Sequence, residues 1–281
     1  MTATEKKLQQ KSKTFHEQEC KLDARSAGQL RRVRKHIIDD SHYVTLNDEK
    51  FLPDVMKGKK MLGVPESFTP PRIRIYYDDI RLSGFRNGVE IRVEHKAEIN
   101  AEESQYKQMV KIGNNTAEDD GIFDRIEFPA RLINSIPSLN NIDSRQQKKL
   151  RDIFEVKDLS KIKLLPLIQI VSQRWRIEFH PDGNRNTRIE YAHDLGVGQT
   201  FTGYTWKMHQ AELELKSGNP ASLMREKKRL METFNFFTPG LRSKPSAGFD
   251  VLSAALSRPE VRKLAQKELT PGVFKVLNKL P

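Results

Sequence analysis

The pattern that most narrows what this chain can fold into is an alternation of charged and apolar residues, with both signs of charge on the same side. In "QAELELKS" Glu212, Glu214 and Lys216 alternate with Ala211, Leu213 and Leu215. In "SQRWRIEF" Arg174, Arg176 and Glu178 alternate with Trp175, Ile177 and Phe179, and in "TRIEYAHDL" Arg188, Glu190 and Asp194 alternate with Ile189, Tyr191 and Leu195. "VEIRVE" sets Glu90, Arg92 and Glu94 against Val89, Ile91 and Val93, and "DRIEF" sets Arg125 and Glu127 against Ile126 and Phe128. Lys107 and Lys111 share a side of "YKQMVKI", and Glu17, Glu19 and Lys21 share a side of "FHEQECKLD". A period of two is the signature of β-strands, whose successive side chains point to opposite faces. One such strand is an ordinary half-wet strand of an antiparallel sheet. Seven of them leave two arrangements. Either a broad sheet presents a charged face to water, or the sheet curls so that the charged faces line a lumen and the apolar faces pack outward under helices.

The other segments supply those helices. "ARSAGQLRRVRKHII" places Leu30, Val33 and Ile37 at helical spacing. "NDEKFLPDVMKGKK" carries acids early and lysines late, as a second short helix would. After Pro70-Pro71, four strands are expected between Arg72 and Arg131: "RIRIYYD", "VEIRVEHK", "YKQMVKI" and "DRIEF", with turns near Gly84, Gly88, Gly113 and Gly121. A polar stretch at 134–161, helical near "SRQQKKLRDIF", leads to a second series: "PLIQIVSQRWRIEF", "TRIEYAHDL", residues 204–208 and "QAELELKS". Gly196-Val197-Gly198 reads as a turn, since a dinucleotide loop would need a strand-to-helix context. Asn219 and Pro220 start a helix through "ASLMREKKRLMETF".

The net charge of +12 raises the question of nucleic acid. Residues 1–14 hold four Lys and one Glu, and residues 217–281 hold twelve Lys and Arg against five acids, so the flanks account for +10. The middle is nearly balanced, which argues against a nucleic-acid-binding coat. The single Cys20 excludes an internal disulfide framework or a Cys-rich zinc site. No run reaches the roughly 18 apolar residues of a membrane span, and "MTATEKKLQQKSK" lacks the apolar stretch of a signal peptide. A cytoplasmic chain is expected.

A lumen crowded with carboxylates and cations is costly unless a ligand completes the pairing. A polyanion with divalent cations does so, because carboxylates hold Mg2+ or Mn2+ through oxygen while Lys and Arg hold phosphate oxygens.

Several motifs occur in a telling order: E-x-E-x-K at Glu17, Glu19 and Lys21; "YYDD" at 76–79; R-x-E at Arg125 and Glu127; a late E-x-E-x-K at Glu212, Glu214 and Lys216 before Ser-Gly-Asn-Pro-Ala; and "RSKPSAGF". Together, over residues 15–252, they resemble the CYTH domain of the triphosphate tunnel metalloenzyme superfamily, which includes inorganic triphosphatases, thiamine triphosphatases and class IV adenylyl cyclases. The resemblance implies an α+β fold, an eight-stranded antiparallel β tunnel closed as a barrel, with a charged lumen and helices packed outside. It divides the chain into a basic tail at 1–14, the tunnel domain at 15–252 and a helical extension at 253–281. It implies metal ligation by Glu17, Glu19, Glu212 and Glu214, joined by Glu127 and Glu190. Phosphate contacts fall to Lys21, Arg92, Lys111, Arg125, Arg174, Arg176, Lys216 and Lys244. Asp194, with the metal-binding glutamates, is the implied catalytic carboxylate that orients water.

The implied activity is metal-dependent hydrolysis of a triphosphate, with inorganic triphosphate or a short polyphosphate as substrate. The alternatives are a class IV adenylyl cyclase, a thiamine triphosphatase or a non-catalytic polyphosphate or nucleotide binder. Two departures bear on this choice. Glu90 stands where the family's R-x-R strand has its first Arg, and Pro129 stands where R-x-E is often followed by a second acid. Arg72 and Arg74 on the neighbouring strand are candidates to restore the charge. Cys20, Trp175, Ile177 and Phe179 read as outer core, and His180 and His193 as surface or structural residues. The basic tail from Arg258 is expected to pack on the outside of the barrel.

Overall fold

The computed structural model describes residues 15–40, 43–45, 72–96, 106–114, 117, 122–132, 134–181 and 185–274. Ten strands form one sheet, antiparallel throughout: β1 (Phe15–Asp23), β2 (Tyr43–Thr45), β3 (Arg72–Asp78), β4 (Val89–Lys96), β5 (Tyr106–Gly113), β6 (Ile122–Leu132), β7 (Leu165–Pro181), β8 (Arg188–Thr200), β9 (Thr205–Ser217) and β10 (Thr238–Pro239). Eight of them follow the order β1-β6-β5-β4-β3-β7-β8-β9, and β9 pairs back onto β1. The curled alternative is therefore the one realised, and the ring has no open edge. β1 makes the closure by using both of its sides: Phe15 to Cys20 pair with β6, and Glu19 to Asp23 pair with β9. β2 lies outside the ring on β7, and β10 continues the edge of β1 where β6 leaves it.

Helices α1 (Ala27–Asp39), α2 (Ser83–Arg86), α3 (Ser144–Phe154), α4 (Pro220–Thr233), α5 (Ser246–Ala255) and α6 (Pro259–Glu268) cover the apolar outer faces. Ser26 caps α1 by accepting from Gln29 N. The stripe of Leu30, Val33 and Ile37 then packs with Leu223 and Leu230 of α4 over Cys20, Leu22, Phe179 and Leu213. Burying each such side chain stabilises the fold by about 1.5–3 kcal/mol. Leu150 and Phe154 of α3, capped by Asp143, pack over Ile91, Val110 and Phe128. Asn219 caps α4 with Pro220 in its first turn, as its sequence predicts. Phe249, Leu252 and Leu256 gather with Ala265 of α6 in a third apolar cluster, so α6 of the basic tail packs against the body of the protein. Among the described residues no helix is long and apolar enough to cross a membrane.

Two local expectations are corrected. Gly196-Val197-Gly198 is not a turn but the middle of β8, and residues 205–217 form one continuous strand rather than two. The glycines are required by close approach. A Cβ on Gly198 would lie 2.1 Å from the Trp206 ring, and one on Gly248 of α5 would lie 2.6 Å from it. Trp206 is thus held between two glycines, which a sequence period cannot reveal. The tail at 1–14 and the helix expected in "NDEKFLPDVMKGKK" lie outside the described residues.

Candidate active site: a charged lumen closed at one end

Strand parity sends the charged set inward. Cys20 and Leu22 are fully buried in the outer core, while Glu17, Glu19 and Lys21 turn to the lumen and are buried as well. The cavity measures about 190 Å³. Eleven cationic side chains and seven carboxylates line it, together with Tyr76 and Met109. Glu94 and Asp194 are buried alongside, so positive charge is still in excess by two.

One end is closed by apolar side chains. Ile168 and Ile170 share the parity of Arg174 and Arg176 on β7, and Met208 shares that of Glu212 and Glu214 on β9. All three are buried with Tyr76 against Phe249 and Leu252 of α5, forming a plug. Exposure rises away from it: Lys21, Arg74 and Arg125 are 2–3% exposed, whereas Lys216, Arg72 and Arg176 are 23%, 26% and 42% exposed. The lumen has a floor and a mouth.

Every carboxylate of the lumen lies beside a cation. Lys111 Nζ donates to Glu17 Oε2 at 2.6 Å and lies 2.6 Å from Glu127 Oε1. Arg125 bridges Glu17 and Glu19, and among the described residues its Nε and Nη1 have no hydrogen-bond partner. Burial depresses the guanidinium, yet Glu19, Glu17 and Glu90 outweigh it and hold Arg125 above its usual value. Lys21 Nζ lies 2.9 Å from Glu19 and 4.3 Å above the ring of Phe123. Lys244, carried in by the segment before α5, donates to Glu212 at 2.7 Å and pairs with Asp194 at 2.7 Å. Arg174 joins the same two carboxylates. Arg92 pairs with Glu90 at 3.4 Å, and Arg74 reaches Glu94 at 3.0 Å.

Of the metal, phosphate and catalytic residues expected from the sequence, all but Asp194 line the cavity. Asp194 is fully buried and held by Arg174, Lys244 and Arg74. Burial raises its carboxyl, but Lys244, Arg174 and Arg74 prevail and hold it far below the usual range. Tyr76, Met109 and Phe123 were missed. Parity was the available signal, since Tyr76 is in step with Arg72 and Arg74, and Phe123 with Arg125 and Glu127. The "YYDD" acids do not enter the lumen. Asp78 accepts from Asp79 N, Gly84 N and Phe85 N, holding the loop into α2, and its burial lifts it to about 7 despite those bonds.

The donor chemistry fits a hard divalent cation. Glu19, Glu214 and Glu190 are direct neighbours across β1, β9 and β8, an arrangement in which like charges repel. Burial lifts Glu214 to about 7; Lys216 opposes the shift, and Glu17 and Glu190 reinforce it. Such an oxygen-rich corner suits Mg2+ or Mn2+. Among the described residues no three carboxylates converge as a ready-made cage, because each is drawn toward a cation.

The fold and its lumen thus define a closed, charged, eight-stranded tunnel, the architecture that the motif resemblance implies. No family model and no curated protein matches the chain. Solved structures similar to it include the bh2851 protein of Bacillus halodurans, at 12% identity and a TM-score of 0.47 over 83% of this chain and 97% of that one. HpAC1 from Hippeastrum, in which a triphosphatase activity dominates, is 12% identical with a TM-score of 0.43 over 85% and 96%. The Mimivirus capping enzyme triphosphatase is 11% identical with a TM-score of 0.37 over 82% and 94%. At such distances the activity is argued from the lumen alone.

Proposed function

We propose that the lumen binds a triphosphate together with a divalent metal and hydrolyses its terminal phosphoanhydride. The observation that carries this reading is the crowding of eleven cations and nine acids around a small cavity with a closed floor, a cost that a polyanion arriving with a divalent cation offsets. Lys21, Arg74 and Arg125 grip the end of the substrate at the floor, and Arg92, Lys111 and Arg174 hold its flanks. Their charge is placed where negative charge develops in transfer. Lys216 and Arg176 are assigned to outer phosphate contacts, and Lys244, buried between Asp194 and Glu212, to an inner one. Glu17, Glu19, Glu190 and Glu214 would hold the Mg2+ or Mn2+, with Glu127 and Glu212 beside them. When bound, the metal would supply Lewis-acid charge that offsets the negative charge developing on the phosphate.

In the chemical step, the oxygen of water bonds to the terminal phosphorus, the bridging oxygen leaves with pyrophosphate, and a lumen carboxylate takes the proton. Asp194 is assigned a positioning role through Arg174 and Lys244. Inorganic triphosphate or short polyphosphate is favoured because Tyr76 and Met109 are the only uncharged side chains among the described lining residues. The test is to supply Mg2+ or Mn2+ with inorganic tripolyphosphate, thiamine triphosphate or ATP and measure phosphate and cyclic AMP. Phosphate release from tripolyphosphate, abolished by Glu17→Gln, is expected. Cyclic AMP from ATP, or binding without turnover, overturns the reading.

A further inference from the structure

The acids and bases of the lumen are already matched, so a ligand must part them. Lys111 sits between Glu17 and Glu127 at 2.6 Å from each, and Lys216 lies 2.6 Å from Glu214. A divalent ion arriving alone must displace these ammonium groups and leave them unpaired in a desolvated wall, which is costly. A polyanion arriving alone strands the carboxylates in the same way. Arriving together, the two exchange partners cleanly: phosphate oxygens take the ammonium groups, the metal takes the carboxylates, and no charge is left unpaired.

We propose, resting on the metal and triphosphate reading of this lumen, that Lys111 and Lys216 act as internal counter-ions that couple the two binding events. Metal and polyanion each bind weakly alone, and each strengthens the other by the same factor, as linkage requires. The consequence is counterintuitive, because removing a phosphate-binding lysine improves metal binding in the absence of phosphate.

Mn2+ binding to the full chain, followed by loss of the free-ion paramagnetic resonance signal without any phosphate compound, tests this. Lys216→Gln is compared with Arg72→Gln. Both residues are lumen cations near the mouth, 23% and 26% exposed, but Arg72 pairs with Glu94 rather than with the Glu214 corner. Lys216→Gln is expected to tighten Mn2+ by about tenfold or more, within the usual range of coupling factors, and Arg72→Gln to change it far less. Equal tightening by both reduces the effect to the general field of the lumen and overturns the proposal, as does no tightening by Lys216→Gln. Adding Glu214→Gln to Lys216→Gln should erase the gain, and its persistence also counts against the idea. The mirror measurement is calorimetric binding of tripolyphosphate in excess chelator, where Glu214→Gln should tighten the anion and an unchanged affinity refutes the coupling. None of these readouts needs turnover. A protein that shows the coupling but releases no phosphate refutes the hydrolase reading alone, and one that hydrolyses triphosphate with Mn2+ affinity indifferent to Lys216 refutes the coupling alone.

Discussion

Replacing Glu214 by Gln should change how the stability of the metal-free protein depends on pH. Burial, with Glu17 and Glu190 adding to it and Lys216 opposing it, lifts this carboxyl from 4.5 to about 7. The folded chain therefore binds more protons than the unfolded chain between those values, and stability falls as pH rises through that window. A shift of this size corresponds to about 3 kcal/mol at roughly 1.4 kcal/mol per pH unit. With the side chain 22% exposed, solvent screening reduces that to about 2 kcal/mol. Gln is neutral at every pH and imitates the protonated acid. The wild type should accordingly lose about 2 kcal/mol more than the variant between pH 4.5 and 8, and the variant should be the more stable at pH 8. Urea unfolding of both proteins in excess chelator at pH 5, 6.5 and 8 measures this, provided the m-values agree. A difference that stays flat with pH, or a variant that is weaker at pH 8, refutes the picture of Glu214 in an acid-crowded, desolvated corner.

Further expectations concern the floor, the mouth and the loops. Arg125→Gln at the floor should lower tripolyphosphate turnover by about 100-fold or more, whereas Arg176→Gln, 42% exposed at the mouth, should raise KM by about tenfold or less; equal losses in steady-state assays refute the floor-and-mouth geometry. Gly198→Val puts a side chain into the Trp206 ring and should destabilise the barrel by about 2 kcal/mol or more, read as a lower urea midpoint. Asp78→Ala leaves three buried backbone donors without their acceptor and should cost about 3 kcal/mol, with Mn2+ affinity unchanged at temperatures where the protein stays folded. A melting temperature close to wild type would show that water satisfies those donors.

Much of the wall was legible because it is written in strand parity. Glu17, Glu19 and Lys21, like Arg125 and Glu127, needed only alternation to be assigned to one face. Tyr76 and Phe123 follow the same rule, but alternation alone does not mark them as lumen residues, since an aromatic residue in a strand reads first as core. Gly196 and Gly198 misled for a different reason. Glycine ordinarily signals a turn, and what they accommodate here is an indole and a neighbouring strand brought in by the fold. The acids of "YYDD" entered only as part of a motif, and their hydrogen bonds tie them to the loop before α2.

By itself the sequence determined which side chains share a face, where the helices start and which flanks carry the net charge, because those properties depend on neighbours a few residues apart. Only the tertiary structure decided which faces meet. Glu19 stands beside Glu214, and Lys244 sits between Asp194 and Glu212, because β9 closes onto β1 and the segment before α5 enters the barrel. The floor made by Ile168, Ile170, Met208 and Phe249 likewise comes from three separate elements. Closure and register are long-range properties of the whole sheet. They place nine buried or half-buried acids against eleven cations, and that juxtaposition turns a set of alternating strands into a site for a polyanion.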